Sequence, residues 1–354
     1  MFDGKPGLTE ESFNAIKMAN ESNQSHYRIC ALTIDEMEIK KHIDTDKYGK
    51  VHGFQDLGCG PLDDDSQPQA TKALVVLGVG LNGHWKLPLG YLLTNGASAD
   101  LQASLLESVL SKLWDCGCIG ISITFDGLAA NQKTLTKLGG NLTAENINSS
   151  FPHPCDPEVR VAVLFDACHM LKLARSLLSE YQVLTVDGVA KAKWQHFEKL
   201  HEIQRKEGLR LANRLSEHHV NYKSQKTKVN LAAQLLSAST AYALEYLRRN
   251  QYDGFEDSLG TEIFISHVDR LFDILNSRSI FAKGFKAPIF ITNIQAKLSA
   301  LRDTREFLLR LSDSNGKRVT ETKRRMCILG FIATIDGIFL LSEQLLTSAT
   351  GEFN

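Results

Sequence analysis

Two stretches of this chain alternate apolar and polar residues and then reach an aspartate. The first is Ile29–Asp35 and the second is Gly120–Asp126. Period-two alternation places the isoleucines and the phenylalanine of the second stretch on one face of a strand, and its serine, threonine and aspartate on the other. A third such strand, Val159–Phe165, is followed by Asp166. The pattern therefore predicts three strands that each lead into an acidic residue.

From about Lys191 onward the hydrophobic pattern changes from period two to helical steps. Trp194, Phe197 and Leu200 recur at three-residue spacing, and similar stripes continue almost to the end of the chain. We therefore expect an α/β core followed by a largely helical half. The predicted organisation is a helical lead-in over residues 1–27, a core over 28–185, a helical domain over 186–346 and a tail over 347–354.

Composition narrows the class of protein. The chain has 354 residues, a net charge of −1 and 43% hydrophobic residues, so nothing in bulk attracts it to nucleic acid. The seven cysteines form no CxxC pair, which predicts neither a disulfide framework nor a zinc finger. We expect no signal peptide and no transmembrane segment, because the N-terminus lacks an apolar signal region and no run of 18 apolar residues occurs.

The strand-end aspartates have two interpretations. Carboxylates at the mouth of an α/β sheet lie where catalytic groups gather, and two of them can hold a pair of divalent cations for phosphoryl transfer. The alternative is that Asp35 and Asp126 each cap a loop or a helix. Their matching contexts add weight to the metal hypothesis, and both interpretations remain open on the residues alone.

Several further motifs occur in series with these strands. Together they resemble the P-element transposases and their THAP-domain-containing relatives, over about residues 29–337. The segments that carry the resemblance are Thr33–Lys41, His84–Tyr91, Thr124–Gln132, Asp166–Arg175, Phe272–Arg278 and Ala282–Pro288.

The resemblance implies an RNase H-like mixed sheet interrupted by a large all-helical insertion domain. In that family two strand-end aspartates bind catalytic Mg²⁺, and the matching positions here are Asp35 and Asp126. The family's third acid is a glutamate in a Gln-Asp-x-x-Glu motif, which the last hundred residues do not contain; the nearest acids are Glu343 and Glu352. The family's N-terminal zinc-coordinating module also has no counterpart. We therefore expect this chain alone to be inactive.

The element Asp166-x-x-His169 also has two interpretations. Asp166 could cap a helix while His169 is simply a partly buried polar residue. Alternatively, His169 and Lys172, which share a helix face, could approach a DNA phosphate near the scissile bond. Related transposase families carry a similar string, and both interpretations remain open.

A nucleotide site is implied by the resemblance alone, since the family's helical insertion binds GTP. The chain has no Gly-x-x-x-x-Gly-Lys-Ser/Thr phosphate loop. Asp273, Asn276 and Ser277 are the candidates, because an aspartate can accept two hydrogen bonds from a guanine edge. The alternative is a cluster of polar residues that ends a helix.

Two functions remain at this point. The first is the catalytic region of a DNA transposase that cuts and joins DNA with Mg²⁺ and is assisted by GTP. The second is a domesticated derivative that binds without catalysis. A host RNase H-type nuclease is disfavoured because the long helical half has no place in it. The resemblance implies transposon-end DNA and GTP as partners, a homo-oligomer, a nuclear location and no membrane.

Overall fold

The computed structural model describes residues 5–22, 24–47, 49, 51–58, 68–127, 129–208, 211–212 and 214–347. The predicted tail therefore lies almost wholly outside the described residues, as does Glu352. The chain divides into two compact units. The first comprises residues 1–142, 148–164 and 340–353, and the second comprises residues 143–147, 165–339 and 354. This division lies earlier in the chain than the predicted start of the helical domain, which stays a prediction.

The first unit is built on a mixed sheet with helices. Its elements are β1 (Gly7–Leu8), α1 (Glu10–Glu21), β2 (Ile29–Glu38), β3 (Asp44–Thr45), β4 (Val51–His52), β5 (Lys72–Gly80), β6 (Lys86–Thr94), α2 (Ala99–Asp115), β7 (Ile119–Phe125), α3 (Ala129–Lys137), β8 (Asn141–Leu142), β9 (Ile147–Asn148), β10 (Ser150–His153) and β11 (Asp156–Phe165).

The central sheet explains why the two predicted strands are neighbours. Among the described residues its strand order is β1-β6-β5-β2-β7-β11-β10. β2 pairs with β5 antiparallel and with β7 parallel. The predicted strands β2 and β7 therefore lie side by side in the middle of the sheet, pointing the same way. This confirms the predicted mixed α/β core.

The alternation in β2 determines which face packs against the core. Cys30, Leu32 and Ile34 are buried, whereas the intervening side chains are half-buried and Asp35 is exposed.

Gly120 at the start of β7 lets the α2 helix pack closely on this strand, because a Cβ there would lie 2.6 Å from a side-chain carbon of Leu110. The α2 helix buries its apolar stripe, as its four-residue leucine spacing predicts.

The lead-in contributes an edge strand that the sequence did not predict. β1 pairs antiparallel with β6 through Gly7 with Tyr91 and Leu8 with Gly90. A Cβ on Gly90 would lie 2.7 Å from the carbonyl oxygen of Gly7, so the close approach of these two backbones requires glycine at position 90.

The second unit is mainly helical. Its elements are α4 (Ala167–Tyr181), β12 (Val183–Val186), β13 (Ala190–Lys193), α5 (Gln195–Glu207), α6 (Glu217–Val220), α7 (Val229–Leu235), α8 (Ala238–Arg249), α9 (Leu259–Leu275), α10 (Ile294–Arg310), β14 (Ser312–Asp313) and α11 (Met326–Ser342), the last of which continues beyond the unit.

This unit also contains a small sheet, so it is not purely helical. β12 pairs with β13 and with the two-residue strand β14. The α9 helix packs on β13 at Gly260, where a Cβ would lie 2.5 Å from the backbone carbon of Lys191. The helical pattern after Lys191 did not reveal these strands, because β13 and β14 are too short to show a period.

One helical segment, Met326–Leu346, is long and apolar enough to cross a membrane by length and composition. Within its apolar 18-residue window, 61% is buried inside the structure, as is usual for a core helix. Asp336 within it makes a two-point ion pair with Arg305, at 2.6 and 3.0 Å. These features are those of a core helix.

Candidate functional site

Asp35 lies within a strand rather than at its end. The β2 strand continues to Glu38, and Asp35 is opposite Val75 of β5. The predicted strand ended too early because Glu36 and Glu38 are poor strand formers. In the structure, pairing with β5 keeps both residues extended. The exposed Asp35 carboxylate accepts a hydrogen bond from the Glu36 backbone N–H at 2.8 Å.

Asp126 follows β7 directly, as predicted. Its carboxylate Oδ1 accepts a hydrogen bond from the Asn131 side-chain amide at 2.5 Å. Gly127 has a φ of 94°, a left-handed value that lets the backbone turn from β7 toward α3. Asn131 on the first turns of α3 therefore fixes the orientation of the aspartate.

The register of β2 and β7 relates the two aspartates. Thr33 is the partner of Thr124 in this parallel pair. Asp35 and Asp126 each follow two residues later, so continuing the register puts them level with each other. Because side chains alternate with period two, both positions also fall on the face of their threonines. Neighbouring strands are about 4.8 Å apart, which is compatible with carboxylates sharing bound cations.

A second acid beside Asp35 has a structural role that the sequence did not reveal. Glu36 accepts hydrogen bonds from Lys72 Nζ at 2.6 Å and from the Ala97 backbone N–H at 3.0 Å. Burial raises the pKa of Glu36, but these hydrogen bonds outweigh burial and leave its pKa below the ordinary value. Glu36 raises the pKa of Lys72, and Asp126 adds to this at longer range. Asp126 thus lies within electrostatic reach of Lys72.

A complete metal cluster is not found in the described part of the chain. Within those residues no group of three or more His, Cys, Asp or Glu side chains is arranged to hold a metal ion. Glu343 lies in the short π-helical segment Glu343–Thr347 that follows α11. Asp35 and Asp126 are therefore a pair of candidate ligands rather than a complete set.

Asp166 caps α4 in the second unit. Its carboxylate accepts hydrogen bonds from the backbone N–H groups of Cys168 and His169, at 3.2 and 2.9 Å. This is the helix-capping role that the first of the two sequence interpretations assigned to Asp166. His169 and Lys172 are both half-buried on the first turns of α4. Their proposed contact with DNA stays a prediction.

The second unit contains a cavity of about 720 Å³. Its walls come from α7, the start of α8, the C-terminal half of α9 and the segment that follows α9. Asp273 and Asn276, two of the three predicted nucleotide residues, line it. Ser277 is not among the lining residues; its hydroxyl donates to the carbonyl oxygen of Lys286 at 2.7 Å. Ser277 therefore ties down the segment after α9.

Two carboxylates in the cavity lie one helical turn apart on α9. Burial raises the pKa of Asp269 to about 6, and the charge of Asp273 adds to this, against a hydrogen bond from the Ala238 backbone. Burial also raises the pKa of Asp273, opposed by Lys286, whose Nζ lies 3.7 Å from Oδ1. Asp269 was not among the residues predicted from the sequence, although its spacing of four residues from Asp273 places both on one helix face.

Three exposed cations also line the cavity, namely Arg214, Arg278 and Lys286. Carboxylates accept hydrogen bonds from N–H groups, and guanidinium and ammonium groups bind phosphate oxygens. A cavity lined by both acids and cations is therefore suited to a purine base with a phosphate chain.

We refer to residues 278–286 as the basic loop. Lys297 of α10 is buried and supports this loop, because its Nζ donates to the carbonyl oxygens of Phe285, at 2.9 Å, and Ala287. Burial lowers the pKa of Lys297. Together with the Ser277 contact, Lys297 fixes the base of the basic loop beside the cavity.

Comparison with known families gives two matches. A family model described as "TNP-like, RNase H N-terminal domain" matches residues 4–139, which include Asp35 and Asp126. A second, "TNP-like, GTP-binding insertion domain", matches residues 168–288, which include every residue that lines the cavity. Lys297 lies beyond both matched ranges.

Two curated proteins are similar in sequence. DNA transposase THAP9 of Homo sapiens is 32% identical over 341 residues, which is 96% of this chain and 37% of that protein. The Transposable element P transposase of Drosophila melanogaster is 28% identical over 252 residues, which is 71% of this chain and 30% of that protein. The chain thus spans about a third of the length of these relatives.

A solved structure shares the fold. The chain aligns with the Drosophila P element transposase strand transfer complex with a TM-score of 0.81 and 22% identity. The alignment covers 99% of this chain and 72% of the other. At this identity the match establishes the fold, an RNase H-like core with a helical insertion.

Proposed function

Because this chain is a P-element-type transposase-like protein, we propose that it supplies catalytic residues for metal-dependent DNA cleavage and strand transfer. The observation that carries this proposal is the parallel pairing of Thr33 with Thr124, two residues before Asp35 in β2 and two residues before Asp126, which follows β7. An acid on each of two adjacent strands, at the same level of an RNase H-like sheet, is suited to binding paired cations.

The donor chemistry fits Mg²⁺, which prefers carboxylate oxygens and retains water ligands. Two such ions, when bound, polarise the scissile phosphate and activate water or a 3′-hydroxyl for in-line attack. Asp35 and Asp126 provide the fixed negative charge. Asn131 holds Asp126 in one orientation through its hydrogen bond, which reduces the reorganisation needed on binding.

His169 and Lys172 are proposed as donors to a DNA phosphate. Asp166 supports this role by fixing the start of α4, since both residues lie on the first two turns of this helix. Cationic and N–H donors of this kind position the DNA backbone without reading its sequence.

The cavity of the second unit is proposed to bind GTP. Asp273 would accept the two N–H donors on the guanine edge, whereas adenine presents no such pair. Arg214, Arg278 and Lys286 would hold the phosphates. Asn276 lies between Asp273 and Arg278 in sequence and lines the same cavity.

Cleavage is tested with a polypeptide of these 354 residues and duplex DNA in Mg²⁺ or Mn²⁺. We expect no nicking above background, because two carboxylates balance only half the formal charge of two divalent cations. A longer polypeptide that supplies a third acid should cut, and Asp35→Ala and Asp126→Ala should each abolish cutting.

Asp44→Ala, which removes an exposed aspartate from β3, is the matched control and should leave cleavage unchanged. Strong metal-dependent cutting by the 354 residues alone would overturn the expected inactivity. A longer polypeptide that binds DNA but never cuts it would favour the alternative function, a domesticated binding protein without catalysis.

Nucleotide selectivity is tested by calorimetry with GTP and ATP. We expect Asp273→Ala to weaken GTP binding roughly tenfold or more, since hydrogen bonds to a charged group contribute about 1.5–3 kcal/mol, and to change ATP binding less. Asp253→Ala, at an exposed position outside the cavity, is the control. Equal affinity for both purines in the unmodified chain would contradict guanine recognition.

We further propose that the protein acts on transposon-end DNA in the nucleus as a homo-oligomer. A tagged full-length protein that stays outside the nucleus would contradict the location. A single-protomer mass with DNA and GTP present would contradict the oligomer.

A further inference from the structure

The tip of the basic loop carries two apolar side chains into solvent. Phe281 is 84% exposed and Ile280 is 70% exposed. Two adjacent apolar side chains this exposed form a small apolar patch, the kind of surface that can contact another molecule. The loop is ordered at its base, where Ser277 and Lys297 hold it, and within its tip, where the Phe281 backbone N–H donates to Ser279 Oγ at 3.2 Å. These hydrogen bonds therefore hold the loop in a conformation that leaves its apolar tip exposed to solvent.

The charge around this tip identifies the kind of partner. Residues 274–302 contain five cations and no acid, in a chain whose net charge is −1. Arg278, Lys283 and Lys286 are all exposed within the basic loop, and only Lys286 has an ion-pair partner recorded among the described residues. The cations of this segment can bind a polyanion. The aromatic tip can also pack against flat apolar groups on that partner.

Arg278, the first residue of the basic loop, lies near Cys168 of α4. Burial and the charge of Asp166 raise the pKa of the Cys168 thiol, while Arg278 and Lys172 lower it. The base of the basic loop and the candidate phosphate contact Lys172 therefore share one neighbourhood.

We propose that the basic loop binds single-stranded DNA. Phe281 stacks on an unpaired base, with Ile280 beside it, while Lys283 contacts a flanking phosphate. Aromatic stacking with adjacent cations is the general way in which proteins hold single strands, and it needs unpaired bases that a duplex does not offer. The inference rests on the proposed DNA function but is independent of nucleotide binding.

The first test measures binding of a fluorescent single-stranded oligodeoxynucleotide to the intact chain by anisotropy, with the duplex of the same sequence alongside. Phe281→Ala should weaken single-strand binding about 5- to 100-fold and duplex binding much less. Phe281→Tyr should retain binding, whereas Phe281→Leu should lose it, because leucine keeps apolar area without a stacking face. Tyr242→Ala removes an aromatic that is 68% exposed on α8 and serves as the matched control.

Two further measurements do not depend on that comparison. Lys283→Ala should reduce the slope of log affinity against log salt by about 0.7, the value for one phosphate contact with a single strand. Phe281→Trp should report stacking directly by fluorescence, since Trp85 and Trp194 are buried and Trp114 packs against His153 with the two rings tilted by 40°.

The proposal is overturned if Phe281→Ala binds single strands as well as the unmodified chain, if leucine replaces phenylalanine without loss, or if the salt slope does not change. Absence of single-strand binding by the unmodified chain would also overturn it and would favour a protein partner for the tip. These outcomes are separate from the cleavage test, because a longer polypeptide can cut duplex DNA whether or not the loop binds a single strand.

Discussion

At the scale of single residues, the cavity acids illustrate how burial and neighbouring charge set a protonation state. Asp269 and Asp273 are both shifted toward the neutral form by burial. Lys286 opposes the shift at both, but it is the largest opposing cause only at Asp273. Asp273 is therefore the better acceptor for N–H donors at neutral pH. Asp269 instead caps the start of α8 through the Ala238 backbone N–H.

Asp269 makes stability depend on pH. Its pKa is about 6 in the folded chain and near 3.8 when unfolded, so the folded state binds more protons between these values. This contribution is fully present below about pH 4 and is lost as pH rises through 6, by roughly 1–3 kcal/mol. Asp269→Asn should remove it. The check is the difference in denaturant stability between the two proteins across pH 4–7, with exposed Asp303→Asn as control; identical pH profiles would contradict the assignment.

At the scale of elements, the strands β2 and β7 could be predicted because their alternation is strong and uninterrupted. The extension of β2 past Asp35 and the two-residue strand β1 could not, since both depend on pairing with distant residues. The cavity was only partly foreseen, because its walls come from segments separated by tens of residues.

The packing of α9 on β13 gives an element-scale prediction. Gly260→Ala would gain about 1 kcal/mol in helix propensity, but its Cβ would meet the Lys191 backbone, and such overpacking costs typically 1–3 kcal/mol or more. We expect a net loss of about 1–2 kcal/mol, measured by thermal or denaturant unfolding. Leu259→Ala, at the neighbouring, largely exposed position, should change stability little. Unchanged or higher stability of Gly260→Ala would show that the helix can move away from β13.

At the scale of the whole molecule, the chain divides its proposed chemistry between two units. The candidate metal ligands are in the first unit, and the nucleotide cavity and the basic loop are in the second. A net charge near zero means that attraction to DNA must come from local surfaces such as the basic loop.

This division predicts which segments will change their amide hydrogen exchange when a nucleotide binds. Bound GTP should slow amide hydrogen exchange in α9 and the basic loop, because binding to the folded state reduces local opening. The β2 and β7 strands should exchange at unchanged rates, and ATP at the same concentration should protect less. Hydrogen-exchange mass spectrometry provides the measurement. Protection confined to the first unit would place the nucleotide elsewhere.

The short strand β1 has a consequence for the behaviour of the protein in solution. The backbone of β6 has free N–H and C=O groups wherever no neighbour pairs with it, and such an edge is a template for strands from other molecules. β1 covers part of this edge at Tyr91 and Gly90, and the glycine admits β1 closely enough to do so. By pairing with part of β6, these few residues reduce the edge that is open to strands from other molecules, and so reduce the tendency to aggregate. This role is separate from any chemistry at the centre of the sheet.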